Sequence, residues 1–192
     1  MLKKIIVAAL IVTSAVFAQI SIGARAAVNY GTIWGDHTDE VKGGVGFNAG
    51  AAAKIDILPL ITFVPGVEVE LRRVSADAVF YDEFSYSFWY LDFPLLARFN
   101  IIPMFFADAG LNIGFNLVAS QTTKISGVEK TEDVENVKTV DFGIVLGGGV
   151  SVLPNLDINL RAVIGFADMV DDFGDVGTKN LRFQAGVTYW FM

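Results

Sequence analysis

The chain has no cysteine, which removes disulfide scaffolds and thiolate zinc sites from consideration. It has one histidine and little charge: only 18% of the 192 residues are Asp, Glu, Lys or Arg. Acidic groups exceed basic ones by seven. No cluster of Lys and Arg offers the footprint that a phosphate backbone requires, so a nucleic-acid partner is excluded. With 53% apolar residues disorder is excluded too. Also missing, after residue 18, is any apolar run long enough for a bilayer helix. The mean hydropathy is nonetheless +0.52, high for a soluble domain, so the apolarity must be spread along the chain.

The one long apolar run lies at the start. Lys3 and Lys4 precede Ile5 to Leu10, and the run continues through Ile11, Val12 and Val16 to Ala18. A charged start, an apolar centre and small residues before Gln19 fit an export signal, residues 1–18, cleaved to leave residues 19–192. A retained anchor helix is the alternative, but the run is short for a bilayer span. Export without cysteine points to a bacterial envelope protein that does not depend on oxidative folding.

Downstream the apolar period is two, not 3.6. In Ile61 to Arg72, one face carries Ile61, Phe63, Pro65, Val67, Val69 and Leu71. The other carries Thr62, Val64, Gly66, Glu68, Glu70 and Arg72. Eight such segments are predicted: 20–34, 43–56, 60–73, 86–100, 104–118, 138–152, 156–168 and 180–192. Three connections are short and contain Leu58-Pro59, Ile102-Pro103 and Leu153-Pro154; the other four are longer and polar. Short turns at one end and long loops at the other describe an all-β, eight-stranded antiparallel up-and-down barrel.

Polarity decides the solvent. A soluble, lipocalin-like carrier would point its apolar face inward; a transmembrane barrel inverts that. The apolar face is continuous in every segment, and the opposite face is rich in glycine, including Gly46, Gly50, Gly66, Gly110, Gly114, Gly143 and Gly147. Glycine weakens a water-exposed strand but suits a cramped interior, and segments of this length span hydrocarbon. Aromatic residues near strand ends read as girdles: Trp34, Tyr86, Phe88 and Trp89 toward the long loops, and Phe63, Phe99, Phe105, Tyr189 and Phe191 toward the short turns. The last run, Leu181, Phe183, Ala185, Val187, Tyr189 and Phe191, resembles the terminal assembly signal of outer-membrane barrels, with its final aromatic followed by Met192.

Two stretches carry a family resemblance. Pro65-Gly66-Val67-Glu68-Val69-Glu70-Leu71-Arg72-Arg73 and Tyr90-Leu91-Asp92-Phe93-Pro94-Leu95-Leu96-Ala97-Arg98-Phe99 resemble the third and fourth strands of small outer-membrane β-barrel domain proteins. These are the porin-family or PorT-type barrels near the OmpA/OmpX group in size. The resemblance implies the bacterial outer membrane as location and no particular chemistry. It implies outer-membrane lipid and, through the C-terminal strand, the barrel-assembly machinery as partners. Pro65 and Pro94 each delete a ladder hydrogen bond, so bulges are expected there.

Inward positions place Arg25, Lys54, Arg72, Arg98, Arg161 and Arg182 against Glu68, Glu70, Asp92, Asp108, Asp141 and Asp157. Six of each sign is what burial demands, because an unpaired buried charge costs several kcal/mol. The network reads either as a plug that holds the barrel together or as the lining of a narrow passive channel for ions or small solutes. Catalysis is not expected. His37 lies among Asp36, Asp39 and Glu40 in a loop, and no motif places Ser75, Ser85 or Ser87 beside it. No cofactor or resident metal is expected; the His37 cluster reads as a solvated loop. The remaining candidates are the long loops. Ala119 to Lys138 is charged, and Asp168, Asp171, Asp172 and Asp175 crowd the last loop. Phe80, Tyr81, Phe84 and Tyr86 could mark a surface partner of unknown identity, or an extension of strands 3 and 4 above the membrane. The first reading is a structural or surface-interaction protein.

Overall fold

Alternation of period two becomes, in the computed structural model, a ring of antiparallel strands. Residues 20–34, 41–78, 81–125, 128–133, 139–166 and 179–191 are described. The export segment, His37 with its acidic neighbours, and Phe80 lie outside them. The strands are β1 (Ile20–Trp34), β2 (Val41–Leu58), β3 (Ile61–Ala78), β4 (Tyr81–Ile102), β5 (Phe105–Ile125), β6 (Val128–Asp133), β7 (Val140–Leu153), β8 (Leu156–Gly165) and β9 (Lys179–Phe191). Eight of them close the barrel in the order β1-β2-β3-β4-β5-β7-β8-β9, and β9 returns to β1. That seam runs from Ile22↔Phe191 to Trp34↔Lys179. No sheet edge is left at membrane depth, which hydrocarbon requires.

β6 is a ninth strand in a stretch read from sequence as loop. It pairs only with the far end of β5, Ser120↔Asp133 to Ile125↔Val128. β3, β4 and β5 likewise extend well past the expected ends at 73, 86 and 118. Their pairing continues to Ala78↔Tyr81 and Glu83↔Lys124. Above the membrane both faces of a sheet meet water, so the apolar contrast that reveals a strand fades while its ladder persists. Tyr81, Phe84 and Tyr86 therefore belong to β4 of the β3–β4 hairpin rather than to a loop; the side chains of Tyr81 and Phe84 lie outside the described ones.

The bulges expected at Pro65 and Pro94 are absent. Between β3 and β4, Pro65↔Leu95 and Glu68↔Asp92 keep one register, with the pairs between them missing. Pro94↔Asn112 stands within an unbroken ladder on the other side of β4. A Cβ on Gly66 would lie 3.0 Å from Pro94 Cγ and 3.2 Å from the Ala51 carbonyl oxygen, so a bare glycine seats the ring and no extra residue is needed. A bulge does occur in β5, where Trp89↔Val118 and Tyr90↔Asn116 leave Leu117 over. Leu117 and Val118 both face outward, and Ala119 becomes buried.

The outer wall is apolar nearly throughout. Among the described side chains, Arg73 is its only charge. Just below it Phe47 and Trp89 meet edge to face, centroids 5.7 Å apart. Leu71, paired to both, is only 4% exposed. The next row up is Arg73↔Ser87 and Ser87↔Ser120. The apolar band thus ends on this side between Leu71–Trp89–Val118 and Arg73–Ser87–Ser120. Tyr86 and Phe88, expected in the outer girdle, instead face inward: they stack at 6.0 Å, and Phe88 packs with Tyr90 and Ala119. Aromatic side chains suit either wall, and only strand parity distinguishes the two.

Candidate functional site

Every inward charge named from the sequence stands in the lumen, and all but Lys54 are buried. They form three levels. Nearest the long loops, Arg72 is the hub. Its Nη1 donates to Asp141 Oδ2 at 2.7 Å, its Nη2 to Asp92 Oδ1 at 2.7 Å, and its Nε to Glu70 Oε2 at 3.0 Å. The guanidinium lies 3.6 Å from the centre of the Tyr90 ring, an arrangement that planar, weakly hydrated arginine favours. Arg182 also donates to Glu70, and its Nη1 stands 3.8 Å from Asp92. Asn29 and Gln184 donate to the other Glu70 oxygen at 3.0 and 3.1 Å, and Asn112 to Asp92 at 2.6 Å. A Cβ on Gly114 would meet Asp92 Oδ1 at 2.6 Å and Arg72 Nη2 at 3.1 Å. This glycine makes room for the pair.

At mid-height Arg25 binds Glu68 at 2.6 Å and reaches Asn159 and Gln184, each at 3.2 Å. Asn48 donates to the same Glu68 oxygen. Arg161 is held differently. Its nitrogens stand 3.6 Å from Glu68 Oε1 and 3.6 Å from Asp108 Oδ2, beyond hydrogen-bond reach, and its Nε has no partner among the described residues. Glu68 Oε1, Arg25 Nε and Asn48 Oδ1 share that lack.

Nearest the short turns, Arg98 chelates Asp108 at 2.8 and 3.1 Å, donates to Asp157 at 2.6 Å, and lies 3.5 Å from the Phe106 ring centre. Asp157 also accepts from Ser151 at 2.7 Å and from Trp190 Nε1 at 2.8 Å. Lys54, a quarter exposed, completes the level at 3.2 Å from Asp157 and 4.1 Å from the Trp190 ring centre. The amides and Trp190 were not singled out from sequence, although Asn29, Asn48, Asn112, Asn159, Gln184 and Trp190 share the parity of the named charges. Val64, Leu96, Val145 and Val163 also fill the lumen and pack with Trp190; the inward face is less polar than its glycines and charges suggest.

No group of His, Asp and Glu that could hold a metal occurs among the described residues. Ser85 and Ser87 stand on the outward face of β4, away from the buried carboxylates. The Ser75 side chain and the acidic last loop lie outside the described ones.

A chain of this architecture finds its likenesses among small barrels. Neisserial surface protein A is 13% identical with a TM-score of 0.59, covering 90% of this chain and 99% of that one. Ail, the attachment invasion locus protein of Yersinia pestis, solved with the heparin analogue sucrose octasulfate, is 16% identical with a TM-score of 0.51, covering 91% and 99%. At such identities the likeness is one of fold. No curated relative matches in sequence. The family model described as outer membrane protein beta-barrel domain matches residues 17–171, most of the chain. With a closed antiparallel ring, an apolar outer wall and an ionic lumen behind that match, the chain belongs to the outer membrane β-barrel domain family.

Proposed function

We propose that the protein is a structural and surface-interaction component of the bacterial outer membrane, exported with residues 1–18 removed, its short turns in the periplasm and its long loops outside. One observation carries this. The lumen is crossed by hydrogen-bonded ion pairs at its upper and lower levels, Arg72 to Asp141 and Arg98 to Asp157, each bound at its base to a neighbouring strand. Such struts close the interior and leave recognition to what stands above the band. There β3, β4, β5 and β6 continue as a sheet, a rigid platform of the kind that carries binding residues. Ail, similar in fold, bears the name attachment invasion locus protein, which favours a surface role here. The acidic last loop would steer this chain toward a cationic or neutral partner rather than a sulfated one. The protein does no covalent chemistry in this reading, and β9, with Phe183, Val187, Tyr189 and Phe191 outward, is what the assembly machinery engages.

A narrow channel is the second reading, favoured by one feature: the loosely held Arg161 and the unpartnered polar atoms around it at mid-lumen. Planar-bilayer recording of refolded residues 19–192, with insertion verified by heat-modifiable migration, separates the two. Silence is expected. Reproducible openings altered by Glu68→Ala or Arg98→Ala would make the lumen the functional site. Deleting residues 122–131 and rejoining the chain should leave the barrel folded and abolish cell-surface binding.

A further inference from the structure

The two ends of the barrel differ in an unexpected way. At the end opposite the long loops, the three turns are uncharged and, apart from Asn155 in the last, apolar at their tips. They present Leu58 and Leu60, Ile102 and Met104, and Leu153, each more than half exposed, beside Pro59, Pro103 and Pro154. The fourth quarter of the rim, where β1 and β9 end, presents Ile20 and Phe191, 65% and 53% exposed. No charge stands on any of these turns; the nearest ones, Lys54, Asp56 and Asp157, point into the mouth, Asp56 accepting from Thr62 at 2.7 Å. A ring of exposed leucine, isoleucine and methionine facing water would be a costly surface for a monomer.

Depth along the strands says what covers it. The apolar band ends on the loop side at Leu71, Trp89 and Val118. From Leu71 to Ile61, β3 runs about 33 Å, which a tilt of about 40° reduces to about 25 Å of depth, the height of the whole apolar band. The tips of the turns therefore fall just beyond the hydrocarbon edge, within a headgroup layer about 5–7 Å deep on each side. They also continue the lipid-facing wall without a polar row between. Ile57 follows Ile55, Ile101 follows Phe99, and Val152 follows Val150.

We infer that the rim is a lipid-binding surface: the three proline turns sit in the headgroup and upper acyl region of the leaflet they face, so that phospholipid, not water or protein, covers them. The ionic mouth, with Lys54 and Asp56 pointing into it, then opens at headgroup level. The barrel is held in depth from both ends, by Arg73 with Trp89 above and by the turns below.

The absence of cysteine allows a clean test. Single variants Leu60→Cys, Ile102→Cys and Leu153→Cys carry a nitroxide in the full chain, refolded into phosphatidylethanolamine–phosphatidylglycerol vesicles. Val67→Cys on the wall serves as the lipid reference and Asp56→Cys in the mouth as the aqueous one. Heat-modifiable migration checks folding of each. At all three turns the ratio of oxygen collisions to those with a soluble nickel chelate should fall between the values at Val67 and at Asp56, well above the latter. Nickel collisions at the level of Asp56 would overturn the inference and make the rim a surface for a periplasmic protein. Protection from both probes, with spin–spin broadening between chains, would overturn it in favour of contact between copies.

Discussion

Arg98 Nη1 stands 2.6 Å from Asp157 Oδ2, so side chains of β4 and β8, three staves apart in the ring, meet across the lumen, while the same guanidinium chelates Asp108 on adjacent β5. One residue joins three strands. In a two-layer protein a core performs this task; in a narrow barrel the cross-lumen ion pair does, because the apolar surface is committed to the outside.

That arrangement predicts strong coupling. Arg98→Ala leaves two buried carboxylates facing each other and should cost about 3–5 kcal/mol, the usual penalty for stranding a buried charge. Asp157→Asn can turn its amide oxygen to Trp190 Nε1 and its NH2 to the Ser151 hydroxyl, which then accepts, and should cost less. In a double-mutant cycle the pair should show a coupling above about 1 kcal/mol, measured by urea unfolding in vesicles. Additive losses would mean that the strut carries no cooperative energy.

Trp190 holds the same node from another side. Its Nε1 donates to Asp157 at 2.8 Å, and Lys54 stands over its ring. Trp190→Phe keeps an aromatic ring in the lumen but removes the donor and some volume, so the expected loss is at least about 1.5–3 kcal/mol, the worth of a hydrogen bond to a charged group. Fluorescence gives an independent check, since loss of this buried indole leaves the remaining emission dominated by Trp34 and the lipid-facing Trp89.

Gly114 should tolerate no side chain. A methyl group there enters the space of Asp92 Oδ1 and Arg72 Nη2, and neither side chain can withdraw without straining the bond from Asn112 to Asp92 or the bond from Arg72 Nη1 to Asp141. Gly114→Ala should therefore destabilise by about 1–3 kcal/mol. Gly31→Ala, whose Cβ would find its nearest atom at 3.7 Å, should be nearly neutral. The contrast in unfolding midpoint separates a steric effect from a general loss of strand flexibility or gain in propensity.

How much of this was legible in sequence follows from where the environment imposes contrast. Within the membrane each strand has lipid on one side and a cramped ionic lumen on the other, so parity alone assigned Arg25, Glu68, Arg98 and Asp157 to the interior. Parity failed where contrast failed. Thr122 and Thr131 pair in a sheet wet on both sides, and their strands read as loop. Tyr86 and Phe88 are amphipathic or apolar enough for either wall. Leu117, the bulged residue, flips the alternation beyond it, so Ala119 turns inward against the pattern. The partner choices inside the lumen, such as Arg72 taking Glu70, Asp92 and Asp141 together, depend on shear between strands, which no single strand records.

The upper limit of the apolar band can be read with a depth series on the outer wall. Val67 lies near the middle of the band, Leu71 in its last apolar row, and Ser87 in the row beyond, beside Arg73. An outward arginine costs about 2–4 kcal/mol at the bilayer midplane and about 0–1 near the interface. Val67→Arg, Leu71→Arg and Ser87→Arg should thus show a falling penalty, with Leu71→Arg raised above a pure depth effect because it also displaces the Phe47 and Trp89 rings that cover the site. Arg73→Leu, conversely, should change stability little but remove the charge that stands just above the apolar band, so that the labelled turn positions Leu60→Cys and Leu153→Cys report a greater spread of depths. If all three arginines cost the same, the boundary between Leu71 and Ser87 is misplaced, and with it the depth assigned to the opposite rim.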